Sequence, residues 1–207
     1  GFIGGGNMAW AIAGGVLKAG LYETGSIFVS DPNESALEKF REKGITVSCE
    51  NQNAANGDII ILAVKPFIYK TALSALTADL GKDVLKDKVF VSIAAGVTVD
   101  EVKEYLGFDA KVVRVMPNTP AMVLAGMSVL SQVCEPVSDE EFGAVQQIFE
   151  AVGETEVMPE SLLNSVIAVS SSSPAYVYMF IEAMADGAVR DGIARDKAYR
   201  LAAQSVL

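Results

Sequence analysis

The glycine-rich motif Gly4-x-Gly6-x-x-Ala9 constrains the fold more than any other feature of the chain. It follows a short apolar strand, forms a predicted tight turn over Gly4 to Ala9, and precedes a helical pattern over Trp10 to Ala19. Gly4 permits a sharp turn, Gly6 lets the backbone approach a pyrophosphate, and Ala9 lets the helix pack close to the strand. We therefore predict a dinucleotide site at the helix N-terminus, the alternative being a phosphate-free turn as in flavodoxin-like folds.

Strand and helix patterns alternate from this turn to about Glu160. The segments Asp58 to Val64 and Val89 to Ile93 are apolar, which is typical of buried parallel strands. This alternation predicts an α/β fold with a parallel sheet and right-handed crossovers. We expect an N-terminal Rossmann domain at residues 1–158.

The pattern after Ser161 predicts helices only, interrupted at Ser170 to Pro174. We interpret residues 159–207 as the start of an all-helical domain. Because this piece is too small to bury its own apolar faces, it requires more chain, a second subunit, or both. The chain lacks an initial Met and stops inside a helical pattern, so we expect it to be a piece that misses both ends.

Charge and cysteine usage exclude several partners. The net charge is -10, with 16 basic and 26 acidic residues and no segment rich in Lys or Arg, so neither nucleic acid nor an anionic membrane is expected as a partner. The apolar runs are too short to cross a bilayer. Cys49 and Cys134 lie far apart in no metal-like spacing, which indicates a reducing cytoplasm and no metal site.

Histidine is absent from the chain. Its absence excludes Ser-His-Asp and Cys-His catalysis, His-ligated metals and the histidine general acid of many carbonyl dehydrogenases within these residues. Carbonyl reduction with a histidine proton donor is therefore not expected from these residues.

The residues that follow the second strand, Ser30-Asp31-Pro32, bear on the choice of cofactor. An acid at this position usually binds the adenosine ribose hydroxyls and favours NAD. No Arg follows at once to bind a 2′-phosphate, although Ser30 and the backbone after Asp31 could do so. Alternatively, Asp31 caps the next helix, so the preference between NAD and NADP stays open.

Three further loops follow apolar strands: Ala63 to Pro66, Ala94 to Gly96, and Met116 to Pro120. Ligands bind at this edge of open α/β sheets. Small residues at Ala94 to Gly96 would let a flat ring approach the backbone, and Asn118 offers both a hydrogen-bond donor and an acceptor. Together with the glycine-rich turn, these loops predict one binding edge.

These motifs resemble the pyrroline-5-carboxylate reductase family in order and spacing over essentially the whole chain. The segments that carry the resemblance are Gly1 to Ala9, Ala63 to Pro66, Ser92 to Val97, Arg114 to Pro120, Ser172 to Tyr176 and Phe180 to Gly187. The resemblance implies a Rossmann domain followed by a helical dimerisation domain, with dimers that can assemble further. It also implies the reduction of 1-pyrroline-5-carboxylate to L-proline by NADPH, with NADH also possible.

The resemblance further implies roles for individual residues. The pyrophosphate would bind at Gly4 to Ala9, the adenosine side near Ser30 and Asn51, and the nicotinamide near Asn118. The full expected cofactor set is Ile3, Gly4, Gly5, Gly6, Asn7, Met8, Ala9, Ser30, Asp31, Asn51, Ala63, Val64, Lys65, Pro66, Ala94, Ala95, Gly96 and Asn118. The expected substrate pocket is Asn118, Ser172 and Pro174.

Two departures from the family pattern accompany the resemblance. Ser171 stands where the family usually has Gly, which predicts an altered bend before Pro174. The family's Ser-Pro-Gly-Gly-Thr segment, which binds the substrate carboxylate and supplies a hydroxyl near the ring nitrogen, is expected beyond residue 207. The catalytic residues are therefore expected outside these 207 residues.

Two alternative functions remain open from the sequence. One is another NAD(P)-dependent imine or small-acid reductase of the same architecture; the acid reductases place a catalytic lysine in the helical domain, where Lys197 is the only lysine after Glu150. The other is a catalytically silent, dinucleotide-sensing protein. Turnover by the full-length protein would separate both from the main prediction.

Overall fold

The computed structural model describes residues 1–207 and contains a single eight-stranded sheet. Its strands are β1 (Phe2–Ile3), β2 (Phe28–Ser30), β3 (Thr46–Ser48), β4 (Ile59–Leu62), β5 (Val89–Ser92), β6 (Lys111–Met116), β7 (Gly126–Ser131) and β8 (Gly153–Met158). They lie in the order β3-β2-β1-β4-β5-β6-β7-β8. The first six strands are parallel and have the order typical of a Rossmann fold, which confirms the predicted α/β class.

The prediction of a wholly parallel sheet is wrong at its far side. β7 runs antiparallel to β6, with Val115 opposite Leu130. Only residues 117–125 connect the two strands, and a parallel neighbour needs a crossover of a dozen or more residues. β8 is parallel to β7, because a helix of 12 residues lies between them.

Helices cover both faces of the sheet. The nine α-helices are α1 (Asn7–Lys18), α2 (Glu34–Arg41), α3 (Tyr69–Leu80), α4 (Lys82–Leu85), α5 (Val99–Leu106), α6 (Asp139–Glu150), α7 (Leu163–Val166), α8 (Ser173–Arg190) and α9 (Arg195–Ser205). One core of 23 buried residues lies under α1, α2 and α6, and a second of 18 lies under α3 and α5. None of the helices has the length and hydropathy needed to cross a bilayer.

Two adjacent glycines of α1 differ in their surroundings. A Cβ atom on Gly15 would stand 2.4 Å from Val152 Cγ1 and 2.8 Å from the Ala151 carbonyl oxygen, whereas a Cβ on Gly14 would meet no atom within 4 Å. Gly15 therefore allows α1 to pack against the chain between α6 and β8. Its neighbour Gly14 faces solvent.

We expect Gly15→Ala to lower the free energy of unfolding by about 2 kcal/mol, since overpacked sites typically lose 1–3 kcal/mol. Gly14→Ala should raise it by up to about 1 kcal/mol, because alanine favours an exposed helix over glycine. Urea unfolding of both variants beside the parent protein measures the difference. Equal stability of the two variants would contradict this packing.

The part of the chain after β8 is helical, as predicted, with a turn of π-helix over Ile167–Ser171 before α8. α8 and α9 pack on each other through Ala185, Ala198 and Ala202. The first half of α8 is different, because Tyr176 to Phe180 are all exposed. A helix that is apolar on every side belongs in a core, so this half of α8 needs a partner surface.

Candidate dinucleotide and substrate site

The predicted binding loops converge on one edge of the sheet. Since β1, β2, β4, β5 and β6 are parallel, the loops that follow them leave the sheet on the same side. Most of the predicted cofactor residues lie in these loops. The others are Ile3 at the end of β1, Ser30 at the end of β2, Asn51 after β3, and Asn7, Met8 and Ala9 at the start of α1. The structure therefore brings the whole set to one edge.

The turn after β1 depends on glycine at position 4. Gly4 has a φ of +103°, and a Cβ there would stand 2.7 Å from the Ala63 carbonyl oxygen. The Gly4 N–H donates to the Ser30 carbonyl oxygen at 2.7 Å, and the Ala63 N–H donates to that of Ile3 at 2.8 Å. The turn therefore packs closely between the ends of β2 and β4, and a side chain at position 4 would clash with the backbone.

Helix α1 begins at Asn7, three residues before the predicted start at Trp10. Gly6 takes an extended backbone conformation and accepts the first helical bond from the N–H of Trp10, so Asn7, Met8 and Ala9 form the first turn. No side chain caps this N-terminus, no acidic residue lies in its first turn, and a Cβ on Gly6 would meet no atom within 4 Å. Open N–H groups and open space at a helix N-terminus fit a pyrophosphate.

The carboxylate of Asp31 is turned toward the glycine-rich turn. One oxygen accepts the N–H of Gly5 at 2.8 Å and the other accepts the N–H of Asn33 at 2.9 Å. The alternative interpretation of Asp31 as the cap of the next helix is wrong, because Asn33 caps α2 through a bond from the N–H of Ser35 at 3.1 Å. The helix begins too late for Asp31 to reach its first turn.

Ser30 and Asn51 meet at the end of β2. The buried Ser30 hydroxyl lies 3.1 Å from both the Phe2 carbonyl oxygen and Asn51 Oδ1. Asn51 comes from the 3₁₀ segment Asn51–Asn56, which follows β3. The structure therefore places the predicted Asn51 beside the end of β2.

The loops after β4 and β5 rest on a buried tyrosine that the sequence analysis missed. The Tyr69 hydroxyl donates to the Leu62 carbonyl oxygen at 2.7 Å and lies 3.3 Å from the Ser92 hydroxyl. Burial raises the pKa of the Tyr69 phenol to about 12. The phenol therefore stays protonated at neutral pH and contacts the ends of β4 and β5, where the two loops begin.

Asn118 joins two parts of the chain. Its side-chain oxygen accepts the N–H of Met127 at 2.9 Å, and its side-chain nitrogen donates to the Ser170 carbonyl oxygen at 3.3 Å. A cleft of about 500 Å³ lies beside it. The cleft is lined by Asn118, Pro120, Met127, Val169, Ser170, Ser173, Pro174, Val177 and Tyr178.

The expected substrate residues Asn118 and Pro174 thus share one cleft, whereas Ser172 does not line it. The neighbouring Ser170 and Ser173 take that place. The hydroxyls of Ser170 and Ser171 are buried without a hydrogen-bond partner, both at the π-helical turn. The cleft lies between the sheet edge and the helical part of the chain.

A buried ionic contact near this cleft was also missed. Arg114 in β6 is 1% exposed; its guanidinium donates to Asn164 Oδ1 at 2.7 Å and lies 3.5 Å from Glu160 Oε1. The signal in the sequence was a single Arg within the strand pattern Val-Val-Arg-Val-Met. A charge in such a strand requires a partner, but its partners lie about 50 residues later and leave no local pattern.

Two family models match the chain. One, described as NADP oxidoreductase coenzyme F420-dependent, matches residues 1–96, and the other, described as pyrroline-5-carboxylate reductase dimerisation, matches residues 160–207. The pyrroline-5-carboxylate reductase of Escherichia coli is 46% identical over 209 residues, which cover 100% of this chain and 76% of that protein. The chain belongs to the pyrroline-5-carboxylate reductase family.

Solved structures of the pyrroline-5-carboxylate reductase family agree. The enzyme from Coxiella burnetii superposes with a TM-score of 0.88 at 35% identity, covering 99% of this chain and 75% of that one. The Plasmodium falciparum pyrroline carboxylate reductase, solved with NADP bound, superposes with a TM-score of 0.86 at 30% identity, covering 99% and 74%. The family resemblance inferred from the motifs is confirmed.

Proposed function

We propose that the protein reduces 1-pyrroline-5-carboxylate to L-proline with NADPH, a reaction of proline biosynthesis. The observation that carries the proposal is the 46% identity to the Escherichia coli pyrroline-5-carboxylate reductase over the entire chain. The geometry supports it, because an open phosphate-binding turn and a cleft at Asn118 lie along one sheet edge.

In this proposal the glycine-rich turn and α1 hold the pyrophosphate. Gly6 leaves the approach open, and the N–H groups of Asn7, Met8 and Ala9 point to the phosphates with the positive end of the helix dipole. Ile3, Gly4 and Gly5 shape the turn. The loops Ala63-Val64-Lys65-Pro66 and Ala94-Ala95-Gly96 line the dinucleotide toward the nicotinamide.

At the adenosine side, Ser30 positions the Asn51 amide, and Asp31 fixes the backbone of Gly5 and Asn33. Both Asp31 oxygens accept backbone N–H groups, so the carboxylate is already hydrogen-bonded within the protein. We therefore assign Asp31 a part in shaping the site and NADPH as the cofactor, with NADH as a weaker one. The NADP-bound Plasmodium falciparum relative supports this choice.

Bound NADPH supplies the hydride for this reaction. The substrate's ring nitrogen is protonated in water, so hydride addition to the C=N carbon gives the amine of proline without a strong general acid. The chain's own task is to fix geometry and exclude water. Asn118, held by Met127 and Ser170, orients the substrate pocket with Pro174.

We further propose a division into a dinucleotide-binding domain at residues 1–158 and a helical dimerisation domain at residues 159–207. The match of residues 160–207 to the dimerisation family model supports the second part, and the exposed first half of α8 supports a homodimer. A cytoplasmic location is part of the proposal, supported by the unpaired Cys49 and Cys134 and by the bacterial relatives.

The deciding experiment follows NADPH and NADH oxidation by nicotinamide absorbance with racemic 1-pyrroline-5-carboxylate, using residues 1–207 and the full-length protein. We expect turnover by the full-length protein, faster with NADPH than with NADH. Turnover only in the longer form would agree with a carboxylate-binding loop outside residues 1–207. Quenching of tryptophan fluorescence by NADPH without turnover in either form would retain the cofactor site and overturn the proline assignment.

A further inference from the structure

We propose that Glu160 and Arg114 are positioning residues that lock the cofactor loop after β5 and the substrate-side helical segment into one rigid unit. The inference rests on the proposed function. Neither side chain lines the cleft at Asn118, so neither is assigned contact with substrate or cofactor. Their effect on the reaction is exerted through the backbone segments that they join.

Arg114 is the buried centre of this contact. It pairs with Ser92 of β5 in the sheet register, and its backbone N–H donates to the Ser131 hydroxyl of β7 at 3.1 Å. Its guanidinium reaches Asn164 and Glu160, both in the segment after β8. A guanidinium with 1% exposure requires such partners, because an uncompensated buried charge is costly. The sheet is therefore tied to the start of the helical part.

Glu160 carries the contact on to the cofactor loop. The same Oε1 atom that faces Arg114 accepts the N–H of Val99, the first residue of α5, at 2.9 Å. Val99 lies three residues after Gly96, at the end of the loop proposed to line the nicotinamide side. The helix already has a local capping box between Thr98 and Glu101, and its first turn also carries Asp100. Glu160 is therefore an additional acidic group at this N-terminus and comes from 61 residues away.

One carboxylate oxygen thus joins three segments that the proposed reaction must align. The first is the Ala94–Gly96 loop through Val99, and the second is β6, which contains Arg114 and ends two residues before Asn118. The third is the chain from Glu160 through Asn164 to the π-helical turn at Ser170. Errors of about 1 Å between reacting groups can cost about 100-fold in rate, so loosening this junction should lower kcat.

The test compares Glu160→Ala, Glu160→Gln and the control Glu156→Ala in the full-length protein. Glu156 is an exposed glutamate of the adjacent β8 with no salt bridge. We expect Glu160→Ala to lower kcat roughly 10- to 100-fold, while the Kd for NADPH from Trp10 quenching changes less than threefold. Glu160→Gln keeps an oxygen acceptor for Val99 but removes the charge that faces Arg114, so its kcat should lie between those of Glu160→Ala and the parent protein. Glu156→Ala should behave as the parent protein.

A readout that needs no turnover accompanies the kinetics. Amide hydrogen exchange of residues 93–106 should be at least about tenfold faster in Glu160→Ala, because the Val99 N–H loses its acceptor. Arg114→Met provides a second variant if Glu160→Ala folds poorly: it removes the contacts to Glu160 and Asn164, so kcat should again fall, whereas Val99 keeps its acceptor and its exchange should change less. Rates are normalised to folded protein, so a loss of stability alone would not lower kcat.

Unchanged kcat together with unchanged exchange in Glu160→Ala would overturn the proposal. So would a parallel loss of NADPH affinity, which would indicate a general distortion of the site. If the parent protein fails to reduce the substrate while exchange at Val99 still responds to Glu160→Ala, the proposed function fails and the junction stands.

Discussion

The variant Gly6→Val should bind NADPH about 100-fold more weakly than the parent protein, a loss of about 2.7 kcal/mol, while keeping its fold. Gly6 has a φ of −70°, which any residue adopts, and a Cβ at this position meets no atom within 4 Å. The new side chain would instead occupy the open space in front of the first N–H groups of α1. Each charge-assisted hydrogen bond lost there is worth about 1.5–3 kcal/mol.

Titration of Trp10 fluorescence with NADPH measures the affinity, and thermal unfolding monitors the fold. The melting temperature of Gly6→Val should fall by less than about 4 °C, the equivalent of about 1 kcal/mol. Gly14→Ala is the matched control, because it also adds a side chain to open space on α1 but away from the turn. A Kd for Gly6→Val within threefold of the parent value would show that the phosphates bind elsewhere.

The sequence predicted the dinucleotide half of the molecule well because its signals are local. Apolar strands, Gly4 and Gly6, and the loops at Ala63 and Ala94 each have a meaning that depends only on neighbouring residues. Parallel pairing then places all of these loops on one edge. The reversed β7 escaped prediction, although the short connection from Met116 to Gly126 carried the necessary information.

The missed residues depend on contacts between distant parts of the chain. The role of Arg114 is set by Glu160 and Asn164, and that of Tyr69 by the ends of β4 and β5. Asp31 shows the same limit at shorter range, since its carboxylate bonds to Gly5, 26 residues earlier. Side-chain partners across the sheet have no periodic signature, so sequence reasoning could not assign them.

These long-range contacts serve the proposed reaction by fixing positions. Reduction of a protonated imine demands accurate placement of two reactants more than it demands acid or base catalysis. Tyr69 and Arg114 are buried and bond to groups outside the cleft, whereas the half-buried Asn118 holds the backbone of Met127 and Ser170 at the cleft. Their hydrogen bonds are made within the protein and order the loops in advance.

The double variant Tyr178→Glu and Met179→Glu should convert the proposed homodimer into monomers. Tyr178 is 66% exposed, Met179 67% and Phe180 58%, all in the exposed first half of α8. A second copy of the chain is the occupant that the dimerisation family match indicates. Burying two new carboxylates in that contact costs several kcal/mol, so the dimer Kd should rise by at least about 1000-fold.

Sedimentation velocity over a range of protein concentrations measures this shift. Lys70→Glu on α3 is the control, because it changes the net charge by the same two units at an exposed site far along the chain from α8. If the contact orders the cleft at Pro174, Val177 and Tyr178, the monomer should also lose turnover while retaining NADPH binding at α1. If the double variant sediments as a dimer, the subunit contact lies on another surface, and dimer formation does not explain the exposed apolar residues of α8.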